Sequence, residues 1–256
     1  MFSTDISAPV VSAPVRRPSR LRRTGLAAAG FVACALPVIF TVNITRMLVT
    51  GELAEHRFHQ LTCQGLLLFA LWLGGLVPLV RAGWSGRQPS SAAGLLHLAF
   101  MATGIATAAA APGGGAPALV GIVVVSGALL WLALPVRPQL RLPVRVDPLL
   151  TPLALVAAAV ATPYVLDQVA LQNAATGHHA QNPHYFDMAW LVTTLVVVGI
   201  LGAVVPAVRR LALVAGAGLV WTGAMGVLLA VDRPWTVALL VLGVPMMVVA
   251  ARRGRR

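Results

Sequence analysis

The chain has 256 residues, of which 58% are hydrophobic and only 10% are charged. Soluble domains carry about 25% charged residues, and a single soluble core could not bury this many apolar segments, so an ordinary soluble protein is excluded. All 19 basic residues are arginine and the net charge is +12. They flank apolar segments and form no basic patch interleaved with aromatic residues, which argues against nucleic-acid binding and makes the lipid bilayer the expected partner.

Eight apolar segments, each of the roughly 20 residues that cross a bilayer, follow an amino-terminal region rich in Pro, Ser and Arg. We expect a disordered basic tail over residues 1–23, a transmembrane domain over 24–251 and a second basic tail over 252–256. The sequence therefore predicts an all-α polytopic transmembrane helical bundle. The predicted spans are 25–44, 61–80, 92–111, 116–134, 149–166, 188–208, 211–231 and 235–251.

The first apolar segment has a competing interpretation. A basic region before a hydrophobic one is also typical of a cleavable signal peptide, and residues 31–34 are loosely similar to a lipoprotein cleavage box ending in Cys34. The apolar run continues through Phe40, whereas a mature lipoprotein would turn polar, so we favour a retained span. Cys63 begins the second span at a different depth, and we expect no disulfide.

Arginine distribution indicates the orientation. With the amino terminus inside, 16 of the 19 arginines fall on the inner side, and only Arg46, Arg57 and Arg233 fall on the outer side. The positive-inside rule then places both termini in the cytoplasm. The Arg-, Ala- and Gly-rich composition is typical of a GC-rich bacterial genome, so we expect the bacterial inner membrane.

The loops indicate a repeat of four plus four spans. A basic inner loop over residues 137–147 separates the halves 24–136 and 148–251. In each half the long outer loop lies between the first and second spans and ends in histidines just before the second span. Internal duplication of this kind is common in membrane proteins.

Histidines and acids concentrate in the first long outer loop. We expect Thr50 to cap a helix that runs on into the second span, with Glu52 in its first turn. Spacings of four, three and four then place several side chains on one helix face. On that face lie Glu52, His56, His59 and Cys63, and Glu55 precedes His59 by four residues.

The second long outer loop carries the matching group. His178 and His179 precede the run Asn182-Pro183-His184, in which Asn is a good cap and Pro a good first helical residue. His184 would lie in the first turn, where the helix dipole keeps an imidazole neutral and able to ligate. Asp187 would lie on the same side, three residues further on.

We interpret the two loops as a metal or haem site on the outer face. Neutral imidazoles and carboxylates suit zinc, copper or iron, and a histidine pair can ligate haem iron. The cofactor-binding candidates are His56, His59 and His184, and further metal ligands are Glu52, Glu55, His178, His179 and Asp187. We expect side-chain nitrogens of His59 and His184 less than roughly 8 Å apart, as ligands of one ion would be. Under the alternative interpretation, the loops are solvated and bind no cofactor.

Other function classes lack candidates. His97 lies about five residues into the third span from the inner side, where we expect a hydrogen-bonded packing role, with a ligand or proton-relay role as the alternative. No Asp, Glu or Arg lies well inside a span, which argues against an ion-coupled transporter. The sequence has no GxSxG motif, and P-loop and Rossmann fingerprints are absent.

The layout of four plus four spans, with His at the outer start of the second and sixth, resembles haem A synthase. Residues 52–57, Glu-Leu-Ala-Glu-His-Arg, are similar to that family's acid-then-His-Arg signature, and His184 matches its sixth-span histidine. The family also has histidines in its fourth and eighth spans, where this chain has none. The resemblance implies a redox or haem-handling protein. In overall composition the chain resembles uncharacterised multi-spanning proteins of GC-rich bacteria, which favours an accessory or assembly factor.

Overall fold

A computed structural model describes residues 19–231 and 233–253, apart from the side chain of His178. Within these ranges the chain is all-helical, without strands, and eight helical segments are long and apolar enough to span a membrane, as predicted. One of the eight, Ala54–Trp84, combines a short turn with α2 and α3. The helices are α1 Arg20–Thr50, α2 Arg57–Leu61, α3 Leu66–Trp84, α4 Ser91–Ala110, α5 Ala116–Ala133, α6 Leu150–Ala174, α7 Gly177–Gln181, α8 His184–Val204, α9 Arg210–Leu228 and α10 Arg233–Arg253.

α1 extends beyond the predicted first span at both ends. It begins at Arg20 because the Ser19 side chain caps it, accepting a hydrogen bond from the Arg22 N–H at 3.4 Å, so residues 20–23 are helical. Residues 1–18 and 254–256 of the predicted tails lie outside the described residues. α1 continues to Thr50 and stops at Gly51, whose φ of 77° is left-handed. The prediction that Thr50 begins the next helix is therefore wrong.

The second span is broken where the sequence predicted one continuous helix. A 3-10 turn over Ala54–His56 and the short α2 come first, and α3 begins only at Leu66. Gly65 permits the break, since a Cβ there would collide with the carbonyl oxygen of Gln60. The Thr62 hydroxyl and the Thr62 N–H both donate to the Phe58 carbonyl, at 2.6 and 3.1 Å, and so fix the end of α2.

The long helices pack as two groups of four. In the first, α1 packs on α3, α3 on α4, α4 on α5, and α5 back on α1. In the second, α6, α8, α9 and α10 pair in the same order, and α10 closes against α6. The two groups meet mainly where α4 packs against α8.

The α4–α8 seam is closely packed. The Trp190 ring centroid lies 4.5 Å from that of Phe100, and the Trp190 indole N–H donates to the Phe100 carbonyl at 2.9 Å. Gly104 leaves room for this ring, because a Cβ there would lie only 2.8 Å from it. The Thr103 and Thr194 hydroxyls are hydrogen-bonded at 2.7 Å. Small residues and polar contacts of this kind hold helices together in membranes, where hydrophobic burial contributes little.

We call the end of the bundle where α8 begins the histidine end, and the end where α10 finishes the arginine end. At the arginine end, Asp147 is buried and accepts hydrogen bonds from the Leu149 and Leu150 N–H groups at 3.0 Å. Its carboxylate also lies 2.9 Å from Arg253 and 3.6 Å from Arg209. Burial alone would raise the pKa of this carboxyl, but these N–H groups and guanidinium groups together hold its pKa below the ordinary value.

Candidate functional site at the histidine end

Imidazoles from both halves of the chain meet at the histidine end. The His184 ring centroid lies 4.9 Å from that of His56 and 5.2 Å from that of His59, with both pairs stacked. His56 and His59 are 6.2 Å apart, and His179 lies 5.6 Å from His184. The predicted contact between the two long loops is confirmed. We call these four residues the imidazole cluster.

Gln64 fixes the two loops relative to each other. Its side-chain amide donates to Asn182 Oδ1 at 2.8 Å and to Asp187 Oδ2 at 3.1 Å. Cys63, one residue earlier, donates its thiol to the His184 carbonyl at 3.8 Å and lies 3.4 Å from His59 Nδ1. Sequence reasoning missed Gln64 because an unbroken helix would turn it away from the histidine face.

The predicted carboxylate ligands of the first loop are placed differently. Glu52 forms a bidentate ion pair with Arg46 at 2.8 and 2.9 Å, because Gly51 ends α1 and turns the chain back over it. Glu52 thus lies in a turn and not on a helix, so the predicted helix face that joined it to His56 and His59 was wrong. Glu55 lies at the rim, with its side chain 66% exposed and its carboxylate 3.9 Å from His56 Nε2.

The start of α8 also differs from its prediction. Asn182 does not cap the helix through its side chain, which accepts from Gln64 instead, while its carbonyl accepts from the His184 N–H at 2.8 Å. His184 is nevertheless the first residue of α8, and Asp187 lies one turn on with only 7% exposure. The side chain of His178 lies outside the described residues.

A cavity of about 290 Å³ lies beside the imidazole cluster. Its lining changes from polar at the histidine end to aromatic about two helical turns deeper along α8. Such an amphipathic lining is typical of sites for small molecules and cofactors. The polar lining includes His56, Gln60, Cys63, Gln64, Asn182, His184 and Asp187, and the aromatic lining comprises Phe40, Phe69, Trp72 and Trp190.

The imidazole cluster is not arranged as a formed metal site. Among the described residues, no three His, Cys, Asp or Glu side chains are placed to hold one ion. The reason is the stacking: His184 presents its ring faces to His56 and His59, at interplanar angles of 17° and 30°, so the nitrogens do not converge. His56 and His59 are only partly buried, and rotation of either ring is a fast side-chain motion.

His97 is separate from the imidazole cluster. It is 1% exposed, and the Trp131 indole N–H donates to its Nδ1 at 3.0 Å. Since Nδ1 accepts, a neutral ring carries its proton on Nε2, which lies against Gly127 of α5. The predicted burial and hydrogen bonding of His97 are confirmed.

Both cysteines are free thiols, Cys63 being fully buried.

No protein-family model, no curated protein and no solved structure matches the chain. The likeness to haem A synthase therefore consists of the span layout and the few residues already named.

Proposed function

We propose that this protein is a multi-pass protein of a bacterial inner membrane that binds a transition-metal ion at the imidazole cluster, in a redox or metal-handling role. The observation that carries the proposal is the meeting of His56 and His59 with His184 at ring separations of 4.9 to 6.2 Å. Loop histidines that served only to solvate a surface would have no reason to gather there, with His184 97% buried. Neutral imidazole nitrogens are common ligands of zinc, copper and iron.

The proposed ligands are His56, His59 and His184, with His179 from α7 as a fourth. Asp187 and Cys63 line the adjoining cavity and would orient the ligands or complete the set. The cavity volume of about 290 Å³ lies at the lower limit of small-molecule pockets, roughly 300–1,000 Å³. A metal ion with a compact ligand therefore fits it better than haem does.

Metal analysis and spectroscopy of purified protein test the proposal. We expect one equivalent of zinc, copper or cobalt to be retained after titration and desalting. The affinity should fall at least tenfold in His184→Ala, since loss of one ligand removes a coordinate bond. It should be unchanged in His97→Ala, the matched control, because His97 is also buried but lies outside the cluster. A wild-type protein that retains no metal and shows no Soret band would exclude the proposal.

The stacked rings favour a second candidate, an accessory or assembly protein without metal. Here the imidazole cluster would join the two halves by packing alone, since no three described side chains are placed around an ion. His184→Phe separates the two candidates: a phenyl ring keeps the stacking but has no nitrogen. A packing role predicts unchanged thermal stability and unchanged function in cells, whereas a ligand role predicts loss of metal.

A further inference from the structure

A second cavity, of about 670 Å³, lies at the arginine end. The start of α4, the turn over Pro206–Val208 with the start of α9, and the end of α10 enclose it. No acidic side chain is among the described residues that line it, and its polar lining consists of hydroxyl and guanidinium groups. These residues are Ser90, Ser91, Arg209, Arg210 and Arg253.

Positive charge in this cavity is only partly compensated. Arg209 and Arg253 share the buried carboxylate of Asp147, at 3.6 and 2.9 Å. Arg210 is exposed, and its guanidinium group makes no hydrogen bond or ion pair with any residue of 19–231 or 233–253. Three guanidinium groups thus face one carboxylate, which leaves a net charge of two positive units among these described residues.

The backbone adds to this potential. α4 begins at Ser91, and the Ser90 hydroxyl accepts from the Ala93 N–H at 3.2 Å, so the positive end of the α4 dipole lies at the cavity. The remaining lining is apolar and includes Leu213 and Ala250. A lining that combines positive and hydroxyl groups with apolar residues fits a headgroup attached to a hydrocarbon chain.

We infer that this cavity binds a phosphate ester, either the headgroup of an anionic phospholipid or a soluble phosphate compound. Guanidinium groups bind phosphate oxygens through paired N–H donors and keep their charge at every physiological pH. Basic pockets between transmembrane helices bind anionic lipid headgroups in this way. The inference does not depend on metal binding at the histidine end.

Thermal unfolding of detergent-purified protein with defined additives tests the inference. The probes are dioleoyl phosphatidylglycerol, dioleoyl phosphatidylcholine and glycerol 3-phosphate. We expect phosphatidylglycerol to raise the Tm in a saturable manner and phosphatidylcholine to leave it unchanged. A rise with glycerol 3-phosphate as well identifies a general phosphate site, and a rise with the lipid alone identifies a lipid site.

Variants at two neighbouring arginines give the control. Arg210→Gln should weaken the phosphatidylglycerol dependence at least threefold while leaving the additive-free Tm unchanged, because Arg210 has no partner among the described residues. Arg252→Gln removes the same charge from the exposed end of α10 but does not line the cavity, so it should behave as wild type. Equal weakening in both variants, or no saturable effect in wild type, would overturn the inference.

Discussion

At the residue scale, Gln64 is the side chain that joins the two long loops. It gives both amide hydrogens, one to Asn182 and one to Asp187. The convergence of His56, His59 and His184 could be predicted, because matching loops of two halves carry the same residue type. The role of Gln64 could not be predicted, because it depends on the break at Gly65, which follows from a backbone geometry that no residue spacing encodes.

Gln64→Leu should lower the free energy of unfolding by about 1–3 kcal/mol, since it leaves two acceptors at a largely buried site without a donor. Replacing Asp187 by leucine as well should recover part of the loss, because an apolar pair leaves fewer stranded groups. Denaturant titration in detergent micelles measures both effects. Gln88→Leu, in an exposed loop, is the control and should change stability little. If the double variant recovers none of the lost stability, this would argue against the Gln64–Asp187 contact.

His97→Ala should also lower the free energy of unfolding by about 1–3 kcal/mol, because the indole N–H of the partly buried Trp131 loses its acceptor. Any metal bound at the histidine end should stay in place. The paired change of His97→Leu with Trp131→Phe, which removes donor and acceptor together, should cost less than His97→Ala. Loss of bound metal in His97→Ala would show that the metal site does not lie at the histidine end, as we propose.

At the element scale, the number of long helices followed from the sequence, but their ends did not. Apolar runs mark the part of a helix that lies in lipid, whereas α1 continues for several residues beyond its run at each end because Ser19 caps it and Gly51 stops it. The break between α2 and α3 was missed because an apolar run cannot distinguish one helix from two that meet at a glycine.

Asp147 links three elements, so its replacement should lower the stability of the whole arginine end. Asp147→Asn keeps an oxygen for the Leu149 and Leu150 N–H groups but removes the charge that Arg209 and Arg253 share. We expect a loss of about 1.5–3 kcal/mol in the free energy of unfolding at neutral pH, the range for hydrogen bonds to a charged group. Asp147→Ala should cost more, because α6 then loses its cap too.

The same carboxyl gives a pH dependence of known sign. Its folded pKa lies below the ordinary value of 3.8, so the unfolded state binds a proton more readily and the stabilisation is complete above that value. It is lost as the pH falls through the lower, folded pKa. The difference in stability between wild type and Asp147→Asn should therefore be constant from pH 7 to about pH 5 and shrink in stronger acid. A difference that grows on acidification would contradict this assignment.

At the scale of the whole molecule, the two groups of four helices pair in the same order, and several contacts join the groups. The third long helix of the first group, α4, packs on the second of the other, α8, and the third of the second group, α9, touches α2 at the start of the second span. The Trp221 indole N–H of α9 donates there to the Leu61 carbonyl at 2.8 Å. α4 also contacts the Pro206–Val208 turn and α9, so the contacts between the groups do not all repeat. The common pairing order within the groups agrees with the predicted duplication, which stays a prediction.

The membrane orientation is the last prediction. Eight spans return the chain to its starting side, and 16 of 19 arginines then lie on one side, which the positive-inside rule makes cytoplasmic. Reporter fusions after Gln88, Gln139 and Arg256 should read cytoplasmic, and fusions after Ala54 and Ala180 extracytoplasmic. An extracytoplasmic reading at Gln139, with the other four reporters as expected, would contradict the eight-span arrangement, because the loop around Gln139 holds three arginines.

If all five reporters are inverted, the spans are right and the orientation is wrong. A charge variant gives the control, with Arg137, Arg141 and Arg145 all changed to Gln. Since positive charges in short loops resist translocation, the variant should weaken the cytoplasmic reading at Gln139 and leave the one at Gln88 in place. Because the imidazole cluster lies at the opposite end of the bundle, a cytoplasmic reading at Gln139 also places that cluster on the extracytoplasmic face, where the proposed metal would be exchanged with the outside.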